Sequence, residues 1–594
     1  MQKMERIRVA GVDPSIHIDL ERIVGLFFPG CKVIGEQHSE DEKTCKGGTN
    51  VDETNADGSN VGGTNAEASL VFEFDQQGQT SDHPDHIVGQ GSDCQDRQDT
   101  GDHTDHTDGH KGDRVGTSIA VTALLHDLTS GKRWQATDTT NIRTTPNTRH
   151  VTDRKSTANA LEGTISTRPS DQTKVREQRK RVKQAISRAL LKVLEQATDV
   201  VQPWGVLTGV RPTKLLHAML RQGHSFAEAR DTLQRQFLLQ PVKCALLEEI
   251  VTRQRAIVPD LYTLDREVSL YIGIPFCPTK CAYCTFPAYA IKGQSGSVED
   301  FLAGLHEEIR AVGAWLKAHD IAVTTVYFGG GTPTSITAEQ LEALFAELHH
   351  SLHGFDRVRE WTVEAGRPDT IDEEKLGVLK KWHVDRISIN PQSFKEETLQ
   401  AIGRHHSVAE TVEKYALARE MGMQNINMDL IIGLPGERRE TFRQSLRVIA
   451  QLRPESLTVH TLSFKRGSRM TQNKRKYEVA SAEEVAEMVE MAQKRTKEMG
   501  YVPYYLYRQK NILGNQENVG YAFPGQESLY NIMIMEERQT IIGLGCGAVS
   551  KIVPPGTAKI IRWPNPKEPR AYIKTYREMI PEKLAALTQA FEGS

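Results

Sequence analysis

Six short runs between residues 268 and 462 are apolar and rich in β-branched side chains: "VSLYIGI" (268–274), "TTVYFGGG" (324–331), "EWTVEA" (360–365), "DRISIN" (385–390), "INMDLIIG" (426–433) and "SLTVHTL" (456–462). Segments of helical period separate them, among them "VEDFLAGLHEEIRAVGAWLKAH" (298–319) and "ETFRQSLRVIAQL" (440–452). Strands alternating with helices predict βαβ units on a parallel sheet. Six units predict a partial or complete α/β barrel spanning 267–480, with its chemistry on the loops that follow the strands' carboxyl ends.

The earlier part of the chain has a different rhythm. "RIRVAGV" near the start, "ASLVFEF" (68–74) and "TSIAVTALLHDLTSGKRWQA" (117–136) read as strands, the last as a hairpin turning at Ser130 and Gly131. Val182, Ile186, Ala189, Val193 and Ala197 recur at helical spacing. Together these predict a small α/β domain over residues 1–200. Tracts of Gly, Asn, Asp and Thr at about 36–67, 76–116 and 137–174 interrupt it. Such composition buries too little apolar surface to offset its ordering entropy, so these tracts are predicted to be disordered insertions. Residues 201–266 read as a helical connector, with Arg211 and Lys214 in "GVRPTKLLH". The remainder, 481–594, opens with a helix and turns Gly-, Asn- and Tyr-rich, which predicts an α+β module closing over the barrel mouth.

Composition changes the picture only modestly. Across 594 residues, 38% hydrophobic and 25% charged describe a soluble globular chain diluted by the polar tracts. A net charge of −3 gives no general case for nucleic acid. No apolar run approaches the roughly 18 residues of a membrane span, and the amino terminus lacks the apolar centre of a signal peptide. Eight cysteines without a framework spacing suit a reducing cytoplasm. His83, His86, His103, His106 and His110 lie among aspartates in the second tract, which reads as a solvated insertion able to take a divalent metal only loosely.

Three of the eight cysteines crowd into "YIGIPFCPTKCAYCTF" (271–286) as Cys277, Cys281 and Cys284. This loop follows the first barrel strand directly. A structural zinc site wants four protein ligands, and a fourth is not evident nearby; His405 and His406 would serve only through the fold. Three thiolates on a [4Fe–4S] cluster leave one iron open to a substrate or cofactor. "GGGTP" (329–333) follows the second strand, where glycines allow a ligand close to the backbone.

The cysteine loop resembles that of radical S-adenosylmethionine (SAM) enzymes, and "GGGTP" resembles their glycine loop. "YIGIPFC", "YFGGGTPT", "VEAGRPDT", "SINPQSF", "GRHH" and "NINMDLIIGLPGE" follow in the order of the oxygen-independent coproporphyrinogen III dehydrogenase family. "GVLTGVRPTKLLH" and "YYLYRQKNILGNQENVGY" look like its Bacillus-type HemZ branch; the likeness runs from about Trp204 to the end. The resemblance implies a [4Fe–4S] cluster on Cys277, Cys281 and Cys284, with SAM on the open iron. It implies SAM contacts from Tyr271, Tyr283, Gly330, Gly331, Thr332, Glu364, Gln392, Arg404, Asp429 and Ser463. The implied reaction is anaerobic decarboxylation of coproporphyrinogen III, with an electron donor such as flavodoxin or ferredoxin. Arg211, Lys214, Arg508 and Lys510 are candidate anchors for the four substrate carboxylates.

Two positions depart from the family. Gly273 stands where its best-described enzymes have histidine, and Phe286 where they have a fourth cysteine; Cys546, in "GLGCGAV", is a candidate replacement thiol. A haem chaperone and a tetrapyrrole methyltransferase on the same scaffold remain alternatives.

Overall fold

The computed structural model describes residues 4, 6–10, 12, 16–28, 31–35, 67–77, 116–128, 130–143, 169–209, 211–290, 296–557 and 559–592. The histidine-rich tract, Cys45, Cys94 and most of the polar insertions lie outside these. The chain falls into two compact units, Met1–Val206 with Arg235–Leu238, and Leu207–Gln234 with Leu239–Ser594.

The first unit is a five-stranded sheet with two helices. Its elements are β1 (Arg6–Ala10), α1 (His17–Phe27), β2 (Lys32–Gly35), β3 (Glu67–Gln77), β4 (Gly116–Asp127), β5 (Arg133–Arg143) and α2 (Pro169–Thr198). The strand order is β2-β1-β3-β4-β5, parallel at β1 and antiparallel from β3 onward. Ile7, Val9, Leu70, Val121 and Leu125 bury one sheet face with Leu20 and Val24 of α1 and with Ile186, Leu190 and Leu194 of α2. The hairpin turns where expected: Gly131 takes φ +70°, and Asp127 accepts from Ser130 Oγ at 2.7 Å. Sequence reasoning ends this hairpin too early. Residues 137–143, assigned above to an insertion, continue β5. Their polar character has a structural use, because buried Asp138 accepts from Arg188 Nη2 and Lys192 Nζ, each at 2.6 Å.

The second unit opens with α3 (Thr213–Arg221), α4 (Phe226–Phe237) and α5 (Pro241–Ile257). The parallel core follows as β6 (Glu267–Ile274), the two-residue pair β7 (Phe276–Cys277) and β8 (Tyr289–Ala290), α6 (Val298–Ala318), β9 (Ala322–Gly330), α7 (Ala338–Ser351), β10 (Glu360–Glu364), α8 (Glu373–Lys381) and β11 (Arg386–Ser388). It continues through α9 (Glu396–Ala401), α10 (Val408–Glu420), β12 (Ile426–Ile432), α11 (Arg439–Leu452), β13 (Ser456–Thr461) and α12 (Arg469–Gln472). The last elements are α13 (Ala482–Glu498), β14 (Val502–Tyr507), β15 (Asn518–Ala522), α14 (Leu529–Glu536), β16 (Thr540–Gly545), β17 (Val549–Ile552), β18 (Ile561–Pro564) and α15 (Pro569–Glu592).

One sheet runs β14-β15-β13-β12-β11-β10-β9-β6-β16-β17-β18, and its six central strands are the parallel partial (β/α)6 barrel. Residues 481–594 do not simply lie over the barrel mouth, as the sequence reading has it. They extend the sheet at both edges, β15 pairing antiparallel with β13 and β16 parallel with β6. Residues 526–539 instead pack across the strands' amino ends. Glu360, at the start of β10, accepts from Ser528 Oγ and from the Leu529 and Tyr530 N–H groups, at 2.9–3.1 Å. A carboxylate there satisfies the free donors of the α14 amino terminus.

A buried charge fixes the β16 edge. Glu308 of α6 accepts from Lys583 Nζ, from Tyr572 Oη and Gly545 N–H at 2.7 Å, and from Asn565 Nδ2 at 2.9 Å. Lys583 also donates to the Gly543 carbonyl at 2.6 Å, and both charged side chains are fully buried.

Candidate active site

The cysteine loop leaves β6 at the carboxyl end and is held from three sides. Gly331 N–H donates to Ile274 O and Thr332 N–H to Phe276 O, both at 2.7 Å, so the glycine loop after β9 lies on its backbone. A Cβ on Gly331 would sit 2.4 Å from Phe276 O, and Gly330 takes φ +107°; both positions require glycine. Ala282 is bound on both sides, its N–H donating to Ile402 O at 2.8 Å and its carbonyl accepting from Met470 N–H at 2.9 Å. Thr279 Oγ1 donates to Gly403 O at 3.1 Å.

The three thiols differ in their surroundings. Cys277 Sγ lies 3.3 Å from Thr332 Oγ1; burial pushes its thiol up to about 11. Burial also raises Cys284. At Cys281 burial works the same way, but the Arg404 and Arg367 guanidiniums, with a hydrogen bond from Tyr283, outweigh it and hold the thiol below its ordinary value. Arg367 Nη1 lies 4.0 Å from Cys281 Sγ, and Arg367 is itself fixed by a bidentate pair with Asp369 at 2.8–2.9 Å. Arg367 lies in "VEAGRPDT", where the local pattern gives it no role; only the fold puts it beside Cys281.

Buried Arg404 donates to Asn390 O at 2.6 Å and Gly366 O at 3.3 Å. Its Nε, Asn390 Oδ1, Gln392 Oε1 and both ring nitrogens of His406 are buried without hydrogen-bond partners. Burial and the two arginines push His406 down to about 3, so its ring is neutral. Gln392 takes φ +66°, held there by bonds from its N–H to Asp429 O and from Ile431 N–H to its carbonyl, both at 2.9 Å. Arg404, whose Nε is orphaned, lies beside Cys281, and buried polar atoms without partners suit a polar ligand. Among the described residues no three Cys, His, Asp or Glu side chains already converge as a metal site, so the cysteine loop supplies three soft ligands on one short segment rather than a closed set.

Facing the barrel axis, Glu364 accepts from Tyr327 Oη, and burial pushes its carboxyl up to about 7, with Asp429 adding to the rise. The Tyr327 ring stacks on Tyr530 at 4.2 Å and on Tyr271 at 6.2 Å. Tyr327 sits in the quoted "VYFGGG" run and was legible as a strand residue; Tyr530 arrives from α14 and was not. Asp429 accepts from Asn427 Nδ2 at 2.8 Å and lies 3.5 Å from His460 Nε2. Arg404 and Asp429 are therefore not each other's partners. Ser463 is buried and donates to Lys510 O at 2.7 Å.

Several expectations need correction. Arg211 and Lys214 are not free anchors: both pair with Glu537, which Lys551 also contacts at 3.0 Å. Arg508 is buried and donates to Leu207 O and to the carbonyl and side chain of Asn515. Lys510 alone of the four is exposed. Cys546 is buried, and burial pushes it up to about 12; it is a packed thiol of the β16 edge. Its carbonyl matters more, because a Cβ at Gly273 would lie 2.9 Å from Cys546 O, leaving a histidine no room there. Phe286 is 57% exposed.

Residues 271–449 match the radical SAM superfamily. The oxygen-independent coproporphyrinogen-III oxidase-like protein HemZ of Bacillus subtilis (strain 168) is 62% identical over 413 residues, 70% of this chain and 82% of that protein. The chain belongs to the radical SAM superfamily, in its HemZ-type branch. The cofactors of radical SAM proteins are a [4Fe–4S] cluster and SAM. The haem chaperone HemW of the same bacterium is 32% identical over 282 residues, 47% of this chain and 70% of that one. The solved structure of the Escherichia coli radical SAM enzyme HemN, a coproporphyrinogen III oxidase, gives a TM-score of 0.43 at 23% identity, covering 55% of this chain and 73% of its own. Among the described residues no helix is long and apolar enough to cross a membrane.

Proposed function

We propose that this radical SAM protein oxidatively decarboxylates two propionates of coproporphyrinogen III to vinyl groups, giving protoporphyrinogen IX. The observation that carries this reading is the loop of Cys277, Cys281 and Cys284 on the glycine loop, beside buried polar atoms that lack partners. The extensive identity to a coproporphyrinogen-III oxidase-like protein supports the substrate class. Cys277, Cys281 and Cys284 hold the cluster; Arg404 and Arg367 favour the ionised form of Cys281 that a metal needs.

When bound, the cluster and SAM supply an adenosyl radical able to take hydrogen from a propionate β-carbon. The chain's own part is to place that carbon and keep water away. In this reading the backbone of Gly330, Gly331 and Thr332 lines the methionine end of SAM, Gln392 and Arg404 face its polar groups, and Ser463, whose hydroxyl is taken by Lys510 O, contributes its backbone. Asp429 suits ribose hydroxyls, and Glu364 with Tyr271 and Tyr283 closes the inner wall. For each propionate, loss of one hydrogen atom, of carbon dioxide and of one electron, which passes to an external one-electron acceptor, leaves the vinyl group. Lys510 is the exposed cation retained as a carboxylate anchor.

A second reading, haem binding without turnover, is favoured by Gly273 and by exposed Phe286, both at positions where family oxidases differ. Anaerobic incubation with coproporphyrinogen III, SAM and a reductant separates them. Protoporphyrinogen with released carbon dioxide is expected; stable haem retention with no product supports the chaperone.

A further inference from the structure

Residues 463–477, following β13, read "SFKRGSRMTQNKRKY": six cations and no carboxylate, in a chain whose net charge is −3. The structure lays this segment along the outer side of the cysteine loop. Met470 N–H donates to Ala282 O, and the Arg469 guanidinium reaches Lys280 O. Lys465 Nζ stands 5.8 Å from the centre of the Phe286 ring, two residues beyond Cys284. Lys280, Arg466, Arg469, Arg475 and Lys476 are exposed. Among the described residues none of these, nor Lys465, forms an ion pair with a carboxylate. Arg211 and Lys214, by contrast, are neutralised by Glu537.

Cations left unpaired in a row raise the local positive potential and speed the approach of an anionic partner. Lys280, Arg466, Arg469, Arg475 and Lys476 stand in solvent rather than in an enclosed pocket, which suits a protein surface better than a buried small molecule. This rim also borders the cysteine loop, where an incoming electron has the shortest path. Resting on the radical SAM reading above, we infer that this basic rim with exposed Phe286 is the docking surface for an acidic one-electron carrier protein. One electron leaves the carrier, which is oxidised, and enters the iron–sulfur cluster, which is reduced; no bond of the chain forms or breaks.

The test uses the holoprotein, a flavodoxin as the acidic carrier, and the charge-reversed variant Arg466→Glu/Arg475→Glu/Lys476→Glu. Binding is measured by calorimetry at low and high salt, and SAM cleavage is followed with dithionite in place of the carrier. Flavodoxin is expected to bind the parent more weakly as salt rises, and the variant about tenfold or more weakly at low salt, with little salt dependence left. Dithionite-driven cleavage is expected to be equal in both. Equal flavodoxin affinity for parent and variant would overturn the inference. So would a variant that keeps flavodoxin but, titrated anaerobically with coproporphyrinogen III alongside the parent, loses that ligand, which would make the rim a substrate anchor. A parent that cannot cleave SAM with dithionite would instead refute the functional reading, leaving the binding data to decide the docking surface.

Discussion

At the residue scale, Arg404 and Asp429 have different neighbours and different expected failures. Arg404 supplies donors to two buried carbonyls and faces Cys281. Arg404→Gln is therefore expected to melt several degrees lower and to weaken SAM. Asp429 is only half-buried and accepts one hydrogen bond from Asn427. Asp429→Asn is expected to keep the fold and the cluster while SAM affinity falls about tenfold, roughly the 1.4 kcal/mol of one charged hydrogen bond. Calorimetric SAM titrations alongside thermal melts distinguish the two; normal affinity in Asp429→Asn would remove that residue from the site.

Glu364 carries a pH prediction. Burial raises its carboxyl from its ordinary 4.5 to about 7. A raised folded value means that the folded state binds the proton more tightly than the unfolded chain does. Its contribution is full below the unfolded value and is lost as pH rises through about 7. Relative to Glu364→Gln, the parent is expected to lose stability between about pH 5 and pH 8. Parallel melting curves across that window would contradict it.

At the element scale, the barrel strands were legible because each is a short β-branched run between amphipathic helices, and their observed bounds lie within about two residues of the reading. What stayed hidden depends on pairing over long distances. Nothing in "TIIGLG" announces that β16 will add beside β6. Nothing near Arg211 shows that Glu537, far along the chain, will pair with it. In β5 the polar alternation of residues 137–143 imitates an insertion until Arg188 and Lys192 of α2 meet Asp138. The β16 edge also carries a prediction. Lys583→Met removes the cation from fully buried Glu308, and an unpaired buried charge costs about 3–5 kcal/mol. Urea unfolding is expected to show a loss of that size, and a change near zero would mean the pair does not hold this edge.

At the scale of the whole molecule, the cysteine loop and the glycine loop were legible from local spacing, whereas Arg367, Tyr327 and Tyr530 joined the site only through the fold. The same division separates essential from dispensable segments. Cys281→Ala is expected to abolish cluster assembly, whereas replacing Cys31, Cys45 or Cys94 is expected to leave iron and sulfide content intact. Deleting residues 40–62 and 82–112 together is expected to spare the cluster as well, because their composition brings no apolar surface to a core. Loss of iron in that deletion would show that these tracts support the site.

The central claim is that a propionate β-carbon of coproporphyrinogen III gives up hydrogen at the site formed around Cys277, Cys281 and Cys284. The most direct measurement uses coproporphyrinogen III deuterated at those carbons, with SAM, a reductant and the anaerobic holoprotein, and mass analysis of the 5′-deoxyadenosine formed. Deuterium is expected in 5′-deoxyadenosine in step with vinyl product; 5′-deoxyadenosine that forms without deuterium, while the substrate stays intact, would contradict the account.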